Sequence, residues 1–191
     1  VAGLLAAVTS LQHLCLAGTS LDLERVIQTI AGNEALASRS LESLDLSRCK
    51  LPLAAAVRLG ALLAASPRLS RLLLRRIPSL DPSALRAILE PAAGNPSPSL
   101  RLRLDLSGTA LGKGELAPTL AHCIQSGPLS SLEAILLADC GLSDAQLATV
   151  LQALHSCPAL MALSLDRCPR QGRRASIPLI GGSSKRTSFH H

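Results

Sequence analysis

The stretch Leu41-Glu-Ser-Leu-Asp-Leu-Ser-Arg-Cys49 decides how this chain is read. Leucines at 41, 44 and 46 end on the alternation of a strand, and a cysteine follows three residues after the last. The spacing returns as Leu11-x-x-Leu14-x-Leu16, Leu69-x-x-Leu72-x-Leu74, Leu102-x-Leu104-x-Leu106, Leu132-x-x-Ile135-x-Leu137 and Leu160-x-x-Leu163-x-Leu165. The first leucines advance by 30, 28, about 32, about 31 and 28 residues. One supersecondary unit is being stacked, each copy burying the apolar face of its neighbour. An array of this kind spends its interior on packing, so function is sought on its surface.

The period sits at or just above the upper limit for leucine-rich repeats, which favours a unit of one strand and one full helix. Strands are expected near 12–16, 42–46, 70–74, 101–106, 133–137 and 161–165. Helices are expected near 22–31, 52–65, 82–92, 113–125 and 143–156. Asp81-Pro82 supplies an N-cap and a first-turn proline, and Ser143-x-x-Gln146 is a capping box. Ala54, Val57, Leu59, Ala61, Leu62 and Ala65 are expected to make one helix mostly buried. Parallel strands joined by helices give an α/β solenoid, a horseshoe arc with strands on the concave face and helices on the convex face. Val1 to Val8 reads as the second half of a repeat helix, so residues 1–168 are expected to be a leucine-rich-repeat domain cut from a longer array. Residues 169–191, rich in Gly, Pro, Ser and Arg, are expected to be a basic, disordered tail or linker.

The fourth repeat is irregular. A long connection, Pro91-Ala-Ala-Gly-Asn-Pro-Ser-Pro98, precedes Ser99-Leu-Arg-Leu-Arg-Leu-Asp-Leu-Ser107, where leucine alternates once more than the pattern requires. Either the strand is longer there or its register shifts.

Nearly half of the 191 residues are apolar but only Phe189 is aromatic, so the core is built of aliphatic side chains. The net charge of +6 belongs to the end of the chain: Arg167, Arg170, Arg173, Arg174, Lys185 and Arg186 supply the excess, and the preceding residues balance at zero. A neutral body argues against nucleic-acid binding. No apolar run reaches the roughly 18–20 residues of a membrane span. Cys49, Cys140 and Cys168, with Thr19 and Thr109, fall three residues after the third repeat leucine, where a small side chain turns inward to satisfy backbone groups. Structural thiols and the missing signal peptide imply a reducing, cytoplasmic setting, with any cytoskeletal or membrane association arising from regions outside this chain.

No catalytic constellation is present. His13 and Cys15 share a strand without a third orienting group, and the Gly-x-Gly at 112–114 lacks the partners of a phosphate loop and reads as a turn. His122 and His155 read as partly buried, satisfied imidazoles, without metal or cofactor partners. The concave face is the usable surface: Arg71, Arg75, Arg76 and Arg103 beside Asp45 and Asp105, with Leu73 and Leu136 between them, form a charged rim around an apolar centre suited to a protein partner. In the tail, paired basic residues precede Ser176 and Ser188, the pattern favoured by basophilic kinases.

Residues 1 to 168 resemble the ribonuclease-inhibitor-like class of leucine-rich repeats. Leu11-Gln-His-Leu-Cys-Leu-Ala-Gly-Thr19, Ser83-Ala-Leu-Arg-Ala-Ile-Leu89 followed by Asn95, Ala138-Asp-Cys-Gly-Leu142 and above all Leu102-Arg-Leu-Asp-Leu-Ser107 after its long loop resemble the CARMIL family of capping protein, Arp2/3 and myosin-I linkers. The segment between the second and third strands is shorter than in that family, and its capping-protein-binding motif and membrane-binding domain are missing here. The resemblance implies a non-enzymatic scaffold with actin-regulatory protein partners. Immune sensors of the NOD-like type, Tonsoku-like repair scaffolds and ribonuclease inhibitors use the same repeat, and leave a ligand-sensing or inhibitory module as the alternative.

Overall fold

Six short parallel strands pair in chain order, each returned to the start of the next by a helical segment. The computed structural model describes residues 2–78, 80–90, 101–126 and 132–167. In order the elements are α1 (Ala2–Ala7), β1 (His13–Cys15), α2 (Leu23–Gly32), β2 (Ser43–Asp45), α3 (Leu53–Ala65), β3 (Arg71–Leu73), α4 (Pro82–Leu89), β4 (Leu102–Asp105), α5 (Leu116–Gln125), β5 (Leu132–Leu136), α6 (Asp144–Leu154) and β6 (Ala162–Ser164). Leu14, Leu44, Leu72, Leu104, Ile135 and Leu163 are partners across the sheet. They form a single row, so the period read from the leucines is the period of the structure. The chain is a leucine-rich-repeat solenoid, with the sheet on the concave side and helices packed neighbour to neighbour on the convex side.

The spine between sheet and helices is aliphatic. Leu44, Leu72, Leu104 and Ile135 are fully buried, as are Leu46, Leu74, Leu106 and Leu137 two residues on. Each such side chain stabilises the fold by about 1.5–3 kcal/mol. In the first and last described strands the row is less covered: Leu14 is half-buried and Leu163 is 40 % exposed.

The inward site works as the sequence indicates in the first, second, fourth and fifth repeats, while the third has Ile77 at that phase. Thr19 Oγ1 and Cys49 Sγ both donate to the Leu16 carbonyl, at 2.8 and 3.0 Å. Three turns of the array later, Thr109 Oγ1 and Cys140 Sγ share the Leu106 carbonyl, at 2.5 and 3.3 Å. Neighbouring repeats are thus tied where the strand ends and its carbonyl would otherwise be buried without a partner. The helix starts also hold: Asp81 Oδ1 accepts from Ala84 N at 2.7 Å, and Ser143 and Gln146 close their reciprocal box.

Four features differ from or refine the sequence reading. In α3 the buried positions are Ala55, Ala56, Leu59, Gly60, Leu62 and Leu63, so of the expected set only Leu59 and Leu62 point inward, and Val57 is 51 % exposed. Alanines on both faces leave the helix little amphipathic contrast, which hid its phase. Ala35–Ser40 forms a π-helical turn, closed by Leu41 N donating to Leu36 O at 2.9 Å, that the periodicity did not announce. Asn33 stitches the first two repeats, its Nδ2 donating to the carbonyls of Leu5 and Val8 at 2.9 and 2.8 Å. The irregular fourth repeat resolves as a register shift: Leu102 pairs with Leu132 but Arg103 with Ala134, leaving Glu133 as the extra residue. The 91–98 connection, Cys168, the tail boundary and Ser176 and Ser188 lie outside the described residues.

Candidate functional site

Alternation along each strand sends the repeat leucines into the spine and their neighbours onto the concave face. Register then arranges those neighbours in rows. The first row runs His13, Ser43, Arg71, Arg103, Ala134, Ala162; the second runs Cys15, Asp45, Leu73, Asp105, Leu136, Ser164. All seven residues expected to form a partner site, Asp45, Arg71, Leu73, Arg75, Arg103, Asp105 and Leu136, belong to the three or four central repeats of this one face. Leu73 and Leu136 are half-buried and Arg71 and Arg103 are exposed.

The charges interlock across repeats. The Arg75 guanidinium bridges two carboxylates, 3.3 Å from Asp105 and 3.9 Å from Asp45. Those same aspartates cap their own chain: Asp45 Oδ1 accepts from Ser47 N at 2.9 Å and Asp105 Oδ1 from Ser107 N at 3.0 Å. The strongest pair joins Arg103 Nη2 to Glu133 Oε1 at 2.6 Å. Its hydrogen bond holds the Glu133 carboxyl below the ordinary range and raises Arg103 in turn. Glu133 is not among the expected site residues, because alternation back from Ile135 assigns it to the core side of the sheet. The only advance signal was the extra leucine alternation in the strand before it.

A second omission is the rim where strands end. The residue two beyond the third leucine has positive φ in every described repeat: Gly18, Arg48, Arg76, Gly108, Asp139 and Arg167. Each of the first five donates its N–H to a carbonyl of the next repeat, at 2.7–3.0 Å for Gly18, Arg48 and Arg76 and for Gly108 and Asp139 alike. The left-handed turn is thus imposed by the ladder, and non-glycine residues accept the strain. It places Arg48 and Arg76 side by side along a groove of about 510 Å³ lined also by Ser47, Arg75 and Ser107. The Arg76 stem lies over Gly108, where an added Cβ would meet its Cγ at 2.6 Å.

The remaining candidate chemistry separates. Cys15 Sγ lies 3.8 Å from Asp45 Oδ2, and no hydrogen bond joins it to His13. His122 is exposed, contrary to the partly buried imidazole expected of it, because its position on α5 faces solvent while Cys123 beside it is buried. His155 is also exposed, with Nδ1 2.9 Å from the Leu151 carbonyl. Gly112 is a packing glycine: a Cβ there would collide with the Gly141 carbonyl, 2.6 Å from its carbon. Burial pushes the Cys123 thiol up to about 11, with Glu90 adding to the shift, and also raises Cys157. Among the described residues no cluster of three or more His, Cys, Asp or Glu is placed to hold a metal, and no helix is long and apolar enough to cross a membrane.

No protein-family model matches the sequence, and no curated protein matches it. Solved structures do match in fold. One is the C-terminal domain of tropomodulin from Caenorhabditis elegans, at 19% identity and a TM-score of 0.58, covering 81% of this chain and 89% of that domain. At this identity the likeness is one of architecture, a leucine-rich-repeat arc of similar extent.

Proposed function

We propose that this chain is a non-enzymatic protein-interaction module of the actin-assembly machinery, holding a protein partner on its concave sheet. The observation that carries the reading is the site itself: half-buried Leu73 and Leu136 framed by cross-repeat charges, Asp45–Arg75–Asp105 and Arg103–Glu133. An apolar centre with a charged, orienting rim is how protein surfaces recognise one another. The actin assignment draws on two supports of different kinds. The irregular fourth repeat resembles the CARMIL family, and the tropomodulin domain that shares the fold is an actin-regulating one. Both would act in the cytoplasm, on a cytoskeletal protein.

Purified actin, capping protein and a myosin-I tail are each titrated against the full chain and its Leu73→Asp and Arg71→Glu variants by biolayer interferometry. Binding of at least one partner, weakened tenfold or more by both substitutions while thermal stability holds, supports the proposal. Binding of none, or binding indifferent to both substitutions, rejects it.

A further inference from the structure

The balance of charge over the body conceals an imbalance on the concave face. Arg48, Arg71, Arg75, Arg76 and Arg103 gather around β3 and its neighbours, against Asp45, Asp105 and Glu133. These three carboxylates are engaged, Asp45 and Asp105 by Arg75 and Glu133 by Arg103, while Asp139, Asp166 and Arg167 line the same rim groove after β5 and β6. Among the described residues Arg48, Arg71 and Arg76 have no carboxylate within ion-pair distance. Arg71 and Arg103 stand directly opposite on adjacent strands, and of the two only Arg103 has an acidic partner, Glu133.

The cations of β3 are spaced along one line, Arg71 and Arg76 free and Arg75 paired. Arg71 opens β3, Leu73 closes it, and Arg75 and Arg76 follow where the chain turns. At a rise of about 3.3 Å per residue, four steps from Arg71 reach Arg75 after about 13 Å, with Leu73 at the midpoint and Arg76 one residue further on, at the turn. An extended peptide has the same rise, so its residues i, i+2 and i+4 reach the same three stations. We infer that the concave face binds an extended acidic segment of a protein partner, of the form acidic-x-apolar-x-acidic, laid along β3 with its acids on Arg71 and on the Arg76–Arg48 rim and its apolar residue on Leu73. This rests on the concave-face reading above and specifies its partner's chemistry. A nucleic acid fits less well: its charge repeats without an apolar station, and a phosphate run meets the interleaved Asp45 and Asp105.

Fluorescence anisotropy on the full chain tests this with a labelled nine-residue peptide carrying an Asp-Ser-Leu-Ser-Asp core. The comparison probes are an Asn-for-Asp version, a scrambled Asp-Asp-Leu-Ser-Ser version and a 12-nucleotide single-stranded DNA. The core peptide is expected to bind better than all three. Arg71→Glu and Arg76→Glu should each weaken it about fivefold and together about 25-fold, since each reversal turns an exposed attraction into a repulsion. Both side chains are exposed, so the melting temperature should stay within a few degrees. Equal binding of the scrambled peptide, tighter binding of DNA, or binding unaffected by the double reversal, which would place it on the Arg173-Arg174 tail, overturns the inference. If the peptide fails while an actin-machinery protein still binds in a Leu73→Asp-sensitive way, the acidic motif alone is refuted; failure of both removes the parent proposal as well.

Discussion

Gly112→Ala is the substitution for which the structure makes the sharpest demand. Gly112 N donates to the Cys140 carbonyl at 3.1 Å, and its own carbonyl accepts from Gln146 Nε2 at 3.2 Å, so it is held between the fourth and fifth repeats. A methyl group there meets only backbone: the Gly141 carbonyl oxygen, its carbon at 2.6 Å and Leu142 N at 3.2 Å. No side chain can rotate away, so the two strands of chain must part. Overpacking costs about 1–3 kcal/mol and the two strained hydrogen bonds about 1 kcal/mol each, for a destabilisation of about 3–5 kcal/mol. For a domain of this size that lowers Tm by about 6–20 °C. The assay is a thermal melt followed by circular dichroism, with Gly32→Ala as the matched control because nothing lies within 4 Å of its added Cβ. The control should be neutral or slightly stabilising. A Gly112→Ala melt within 2 °C of the parent chain would refute the packing argument and reopen the Gly-x-Gly segment as a ligand loop.

Three other outcomes follow from the same physics. Native-state alkylation with iodoacetamide at pH 8 should modify Cys15 while sparing Cys49, Cys123, Cys140 and Cys157, which are buried; peptide mapping showing rapid labelling of Cys123, whose thiol sits at about 11, would contradict it. Because the folded Glu133 carboxyl is held low, its contribution is present above the unfolded value near 4.3 and is lost as pH falls through the lower folded value. Glu133→Gln should therefore lower Tm by about 1–3 °C at pH 7 and by nothing at the acid end of a pH series, and a difference that persists or grows toward pH 3 contradicts the pairing. Leu104→Ala in the middle of the spine should cost about 2–5 kcal/mol, and Leu163→Ala at the end about 1 kcal/mol, by urea denaturation; equal costs would mean the array is not stacked as described.

Most of the fold could be read before any coordinates because a stacked repeat writes the same instruction six times. Leu14, Leu44, Leu72, Leu104, Ile135 and Leu163 share a row because each is the second apolar position of its unit, and Thr19, Cys49, Thr109 and Cys140 follow because the carbonyl at the strand's end needs a donor. The less legible features are those that depend on one repeat seen against another. Glu133 is the residue left over at the bulge beside Arg103, and residues 100–106 announce a register change without saying which residue that is. The positive-φ row was hidden because Arg48, Arg76, Asp139 and Arg167 occupy positions where a glycine would have drawn notice; aligning them with Gly18 and Gly108 was the available signal. Inside α3, alanine fits both the buried and the outer face, so its composition fixes the helix but not its rotation.

Hydrogen–deuterium exchange of the full chain, alone and bound to whichever purified actin-machinery protein it holds most tightly, tests the central claim most directly. The account predicts new protection concentrated in residues 43–48, 71–76, 101–108 and 132–139, the strands and rim of the concave face, with helices α2 to α6 little changed. Protection confined to those helices, with the strand residues exchanging as in the free chain, would contradict it.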